Sequence, residues 1–186
     1  MATQWPLADE TTFARVTKGF HASGSKPAAM TTPFEDAAAL RTVADYQFGQ
    51  GAGRALFPDD HQYTVKRSSA GRPQQVLVDD ARLVSYGTDG RFTLGFEGGR
   101  RLADALAPPA GRVVVGDESE PFVRDGKNVF AKFVVEVDPQ VRPGDELLVV
   151  HENGALLGVG RAELSAAAML DFETGMAVMV RDGADD

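Results

Sequence analysis

No cysteine occurs among the 186 residues. Disulfides, a thiolate nucleophile and a cysteine metal site are therefore excluded. There is no apolar run of about 18 residues, so no spanning helix is expected. The opening MATQWPLADETTF lacks a basic stretch followed by an apolar block and does not read as a secretory signal. An intracellular, cytoplasmic location is expected, with no membrane partner. Histidine is scarce. His21, His61 and His151 show no HxxxH or HExxH spacing, so no metal site is expected from them. His151 ends a strand and is expected at a sheet edge or on the surface. No GxSxG nucleophile turn is present. Asp79–Asp80 and Asp185–Asp186 are adjacent acids, whose side chains point apart and make poor acid/base pairs. No catalytic centre and no metal or organic cofactor is expected.

Lysine is also rare. It stands only at Lys18, Lys26, Lys66, Lys127 and Lys132, the other basic residues being arginine, in a chain of net charge -8. A surface poor in lysine, rich in aspartate and retaining arginine suits a high-salt, halophilic cytoplasm; an ordinary acidic protein is the plainer reading. The acidic total argues against nucleic-acid binding by net charge alone. It leaves room for a local basic face, because residues 42–118 are near neutral and the acids concentrate in 119–186.

What is present is a hydrophobic content of 43%, which excludes wholesale disorder, in a chain long enough for one large domain or two small ones. Residues 1–29 show no sustained period and end in a Gly/Ser/Pro/Ala cluster, the composition of a weakly structured segment. Met30 precedes a helix start and could be the translation start in place of Met1; the rival is that Phe13, Val16 and Phe20, at helical spacing, dock on the first domain. In TTPFEDAAALRTVADYQF, Thr32 is placed to cap, Pro33 sits at the first helical position, and Leu40, Ala44 and Phe48 come after it at helical spacing. The glycines of GQGAG end the helix.

Strands are expected at HQYTVKRS, QQVLVD, ARLVSYG and RFTLGF, then a short helix at GGRRLADAL and a boundary near Ala107 to Arg112. Beyond it, RVVV, VFAKFVVEVD, ELLVVHE, LLGVGRAEL and GMAVMVR read as strands, with a helical turn at DESEPFVRDG and a helix, SAAAMLDF, capped by Ser165. The order β-α-β-β-β-α-β in about seventy residues suggests a small, partly closed barrel plugged by helices. The fold class is thus α+β: a small α/β unit with antiparallel strands over 30–110, then the barrel over 111–183.

GQGAGR (Gly49 to Arg54) has the look of a phosphate loop. It lacks the Gly-Lys-Ser/Thr ending and follows a helix rather than a strand, so a glycine-rich helix stop is the reading, with an RNA-backbone contact through Arg54 left open. Lys66 and Arg67 share a strand, with Arg72, Arg82, Arg100 and Arg101 nearby in sequence; facing one way, they would form a phosphate-tracking stripe.

From RVVV onward the chain resembles the PUA domain, an RNA-binding barrel. GKNVFAKFV, VRPGDELLVV, LLGVGRAELS and GMAVMVR carry the likeness. Upstream, RTVADYQFGQGAGRALF, SSAGRPQQV and DGRFTLGFEGGRRLADAL resemble the domain preceding PUA in archaeal tRNA-guanine transglycosylase and archaeosine synthase. The chain is too short for the large catalytic barrel of those enzymes. The resemblance implies an RNA face at Gly126, Lys127, Asn128, Val129 and Phe130, with Arg161 and Arg181 brought near it, while Pro143, Gly144 and Asp145 set a turn. Lys132 stands between a contact and a rim position, since strand alternation sends Phe130, Lys132 and Val134 to one face. The implied function is non-catalytic RNA binding, of tRNA, in an archaeosine-type modification pathway, alone or beside a separately encoded catalytic subunit. Two alternatives stay open: an enzyme with a site at Asp45, Gln47 and the glycine loop, and a docking factor in ribosome assembly.

Overall fold

The computed structural model describes residues 30–31 and 34–185. The readings made for residues 1–29, and the Thr32–Pro33 cap, lie outside the described residues. Helix α1 (Phe34–Phe48) buries Leu40 and Ala44, one turn apart, against the first sheet. It ends at Gly49, whose φ is 100°, and a second short helix, α2 (Ala52–Leu56), begins at once. The glycine-rich stop is therefore a helix–helix corner. Its physical basis is Asp45, whose carboxylate accepts from the N–H groups of Gly51 (3.0 Å) and Gly53 (2.8 Å) at the start of α2.

The first sheet is an antiparallel meander, β1 (Met30–Thr31), β2 (Thr64–Arg67), β3 (Pro73–Val78), β4 (Ala81–Tyr86) and β5 (Phe92–Leu94), in that spatial order. Asp79 and Asp80 both take positive φ, 46° and 65°, and form the tight β3–β4 turn, the backbone of a type I′ hairpin. Strand β1, pairing Met30 with Val65, was not foreseen from sequence.

Helix α3 (Phe96–Ala105) joins this sheet to the second. Gly98 and Gly99 let it pack without a gap. A Cβ on Gly98 would lie 2.1 Å from the Leu83 carbonyl oxygen on β4, and one on Gly99 would lie 2.2 Å from the Val159 side chain of the second sheet. One hydrophobic cluster accordingly spans both sheets, with Leu148, Val150 and Val159 packed among Leu56, Phe57, Leu83 and Phe92.

The second sheet, nearly closed like a barrel, runs β7-β11-β10-β9-β6-β8. Its strands are β6 (Arg112–Val115), β7 (Val129–Phe130), β8 (Val134–Val137), β9 (Glu146–His151), β10 (Leu156–Ala162) and β11 (Met176–Gly183), with α4 (Glu120–Arg124) and α5 (Ala166–Asp171) at its ends. Among the described residues only β6 and β9 pair in parallel. Ser165 caps α5 by accepting from the Ala168 N–H. The single strand expected at VFAKFVVEVD is broken: a 3-10 turn at Ala131–Phe133 separates β7 from β8. The break lets the chain leave β11, where Phe130 pairs with Met176, and cross to β6, where Val134 pairs with Val115. Simple strand alternation does not hold across it.

Candidate nucleic-acid interface

The turn after α4 closes with two hydrogen bonds, Gly126 N–H to the Val123 carbonyl (3.0 Å) and Lys127 N–H to the Phe122 carbonyl (2.8 Å). This is a Schellman motif, which places glycine in the left-handed region; Gly126 has φ 69°. Asn128 then accepts from the Val180 N–H at 3.1 Å, pinning the turn to β11. The result is a fixed platform that presents Lys127 to solvent, its ammonium 3.4 Å from exposed Asp125. Phe130 is 48% exposed, whereas Val129 is 1% exposed and faces the barrel core. Val129 therefore offers backbone and no side chain to a ligand, because its partner on β11, Val178, turns inward with it. Lys132 lies with its ammonium 4.5 Å from the centre of the Phe133 ring.

The remaining basic residues divide by what holds them. Arg161 donates to Glu163 at 2.7 and 2.9 Å. Arg181 is held by Glu146, whose side chain is almost wholly buried. Burial pushes the Glu146 carboxyl above its ordinary range, opposed by the Leu94 N–H and by Arg181. Both arginines are thus engaged in the fold. Arg82 pairs with Asp182, and Arg100 and Arg101 share Glu97, the Arg100 bond foremost in holding that carboxyl below its ordinary range. These three do not form a free stripe.

Lys66 and Arg54 are exposed and make no side-chain hydrogen bond or ion pair among the described residues. Arg67 donates to the Gly71 carbonyl at 3.2 Å, across the β2–β3 turn that also carries Arg72. This hairpin and the turn at Lys127 belong to different sheets: β2 lies towards the edge of the first sheet away from β5, the strand that meets β10. The predicted residues therefore form two basic points. Sequence reasoning passed over Arg142, an exposed arginine in the turn before β9 whose side chain is equally uncommitted among the described residues. The turn motif PGDE next to it drew attention to geometry instead of charge.

His151 corrects an expectation. It is 7% exposed, on a central strand, with Nε2 2.9 Å from Asp117 Oδ1 and 3.8 Å from Glu120 Oε2. These three side chains could converge on a cation. The Asn153 N–H, however, donates to Nδ1 at 3.2 Å, so Nε2 carries the proton and donates to Asp117. The hydrogen bond between His151 and Asp117, with Glu120 beside it, anchors β9 to the segment that leads into α4.

An antiparallel α/β unit sharing its core with a helix-plugged barrel, and presenting lysines on rigid turns, defines a two-part module of the PUA kind. The sequence agrees: residues 38–109 match the patch-forming domain C2 of tRNA-guanine transglycosylase and residues 111–184 match the PUA domain. The chain is 47% identical over 148 residues to tRNA-guanine(15) transglycosylase of Pyrococcus furiosus, a match covering 79% of the chain and 25% of that enzyme. It is 42% identical over 153 residues to the protein of the same name from Methanothermobacter thermautotrophicus, covering 82% of the chain and 23% of that enzyme. The chain thus spans about a quarter of the length of these relatives, matching their C-terminal part. A crystal structure of a hypothetical protein from Pyrococcus horikoshii OT3 shares the fold, with TM-score 0.68 and 23% identity over 86% of this chain and 96% of that one. Among the described residues no helix is long and apolar enough to cross a membrane.

Proposed function

We propose that the chain is a non-catalytic RNA-binding protein that engages tRNA in an archaeosine-type modification pathway, alone or beside a separately encoded catalytic subunit. Its two units are residues 30–110 and 111–183, and its contacts are Gly126, Lys127, Phe130 and Lys132 in the second, and Arg54, Lys66 and Arg67 in the first. The observation that carries this reading is the match to the C-terminal quarter of transglycosylases, joined to a pinned turn that presents Lys127. Glycine at 126 keeps side-chain bulk away from an approaching backbone, and lysine meets phosphate through local potential despite the acidic total. The rival enzyme reading loses support, since Asp45 caps α2 and Gln47 clamps β5, exchanging hydrogen bonds of 2.7 Å with both the N–H and the carbonyl of Phe92. Both side chains hold the fold together, Asp45 through its Oδ1.

Fluorescence anisotropy with a labelled tRNA transcript, run as a salt titration, tests the reading. Saturable binding whose affinity falls with salt is expected, together with no exchange of labelled guanine into tRNA by the chain alone. Absence of tRNA binding, or guanine exchange without any second protein, would overturn it.

A further inference from the structure

In the stretch Asp45–Phe48 one residue has no place in the packing. Asp45 caps α2, Gln47 clamps β5, and Phe48 packs against the first core. Tyr46 between them is 91% exposed, the most exposed large hydrophobic among the described residues. It stands on the rim of a cleft of about 560 Å³ between the two sheets. Leu94, Leu102, Leu147 and Leu148 give the cleft an apolar floor, and Arg91 and Gln140 stand with Tyr46 around its mouth.

The charges of the cleft exclude a phosphate as its occupant. Asp138, Asp145 and Glu146 line it against Arg91, the one cation among the described lining residues, which is already 3.3 Å from Asp145. The carboxylates are occupied too: Asp138 accepts from the Gly111 and Gln140 N–H groups, and Asp145 from the Arg142 N–H. The Gln140 side chain is exposed, and its amide group makes no hydrogen bond among the described residues. A flat, neutral ring with hydrogen-bonding edges fits this lining, and a phosphodiester does not. An exposed aromatic face beside an apolar slot is what base stacking uses, and such stacking tolerates sequence because every base has a π-face.

We infer that the cleft takes an unpaired nucleobase of the bound RNA, stacked on Tyr46 with its polar edge towards the Gln140 amide and the Arg91 guanidinium. The inference rests on the RNA-binding reading above. It adds that the protein senses an interruption in RNA pairing, since a fully paired duplex has no base to insert.

The test uses the full chain and two RNA hairpins of one stem sequence, each closed by a polyethylene glycol linker in place of a nucleotide loop, one fully paired and one carrying a single bulged 2-aminopurine. The bulged hairpin is expected to bind about tenfold more tightly, with 2-aminopurine fluorescence quenched on binding. Tyr46→Ala should abolish the preference and the quenching while leaving the paired hairpin bound as before; Tyr46→Phe should keep both. Equal binding of the two hairpins, or a preference untouched by Tyr46→Ala, would overturn the inference while RNA binding itself stands. Binding of neither hairpin would instead remove the RNA-binding reading, and this one with it. Tyr46 should nitrate readily in the free chain; protection there would mean that the cleft is filled by the chain itself or by a second copy, which also overturns the inference.

Discussion

The buried carboxylate of Glu146 on β9 accepts a hydrogen bond, at 3.0 Å, from the backbone N–H of Leu94 on β5. One side chain of the second sheet thus terminates the last strand of the first. Its other oxygen holds Arg181 on β11, and the neighbouring Asp182 takes Arg82 and the Phe96 N–H at the start of α3. With the shared core around Val159, these bonds make the two sheets one mechanical body, so the two basic points keep a fixed separation.

Glu146 gives a pH prediction. Burial raises its folded pKa above the ordinary value, so in the window between the two the native state holds a proton that the unfolded chain lacks. Stability then falls as pH rises through that window. Glu146→Gln keeps an acceptor for Leu94 and does not titrate. The difference in unfolding free energy, wild type minus variant, should therefore grow as pH falls from neutrality towards the ordinary glutamate range. Urea unfolding at several pH values checks it, and a difference that shrinks on acidification would show that Arg181 outweighs burial.

Gly98→Ala tests the seam from the apolar side. The new methyl would meet the Leu83 carbonyl oxygen at 2.1 Å, a backbone atom that cannot swing aside. A better helix residue should here destabilise, by about 1–3 kcal/mol as for other overpacked sites. Thermal and urea unfolding measure it; a neutral or stabilised variant would mean that α3 slides freely over β4.

Much of this was legible in the sequence for identifiable reasons. The helix at 34–48, the β3–β4 hairpin and the Ser165 cap announce themselves through spacing and turn chemistry, because each is decided by local residues. The break at Ala131–Phe133 was not legible: VFAKFVVEVD has unbroken strand propensity, and the turn is imposed by the need to leave β11 for β6. The fate of the arginines was hidden for a similar reason. Arg181 finds Glu146 35 positions away and Arg82 finds Asp182 100 positions away. The exposure of Lys127 was legible because its turn is local, and the burial of Val129 was not, because it depends on the distant β11.

Asp45→Ala separates a structural from a chemical role for the DYQF segment. Two N–H groups at the start of α2 lose their acceptor, which should cost about 1 kcal/mol, as for other lost N-caps. tRNA affinity should stay within twofold of wild type at a temperature where both are folded. A large loss of a modification activity with unchanged stability would restore Asp45 as a catalytic candidate.

Lys127→Glu and Arg181→Ala should fail in opposite ways. Lys127 is exposed on a turn whose backbone is closed without its side chain, so the substitution should leave the melting temperature within a degree or two. It should weaken tRNA binding roughly fivefold or more at low salt, and the defect should shrink as salt rises, because the contact it removes is a phosphate contact. Lys66→Glu should add to it multiplicatively, since the two sites stand on different sheets. Arg181→Ala strands a buried carboxylate and should destabilise by roughly 3 kcal/mol, with any loss of binding tracking the unfolded fraction. Differential scanning fluorimetry beside anisotropy at two salt concentrations distinguishes the patterns. If Lys127→Glu binds tRNA as wild type does at every salt concentration, the turn at Gly126 is no part of the RNA face and Lys132 or the β2–β3 hairpin must carry it.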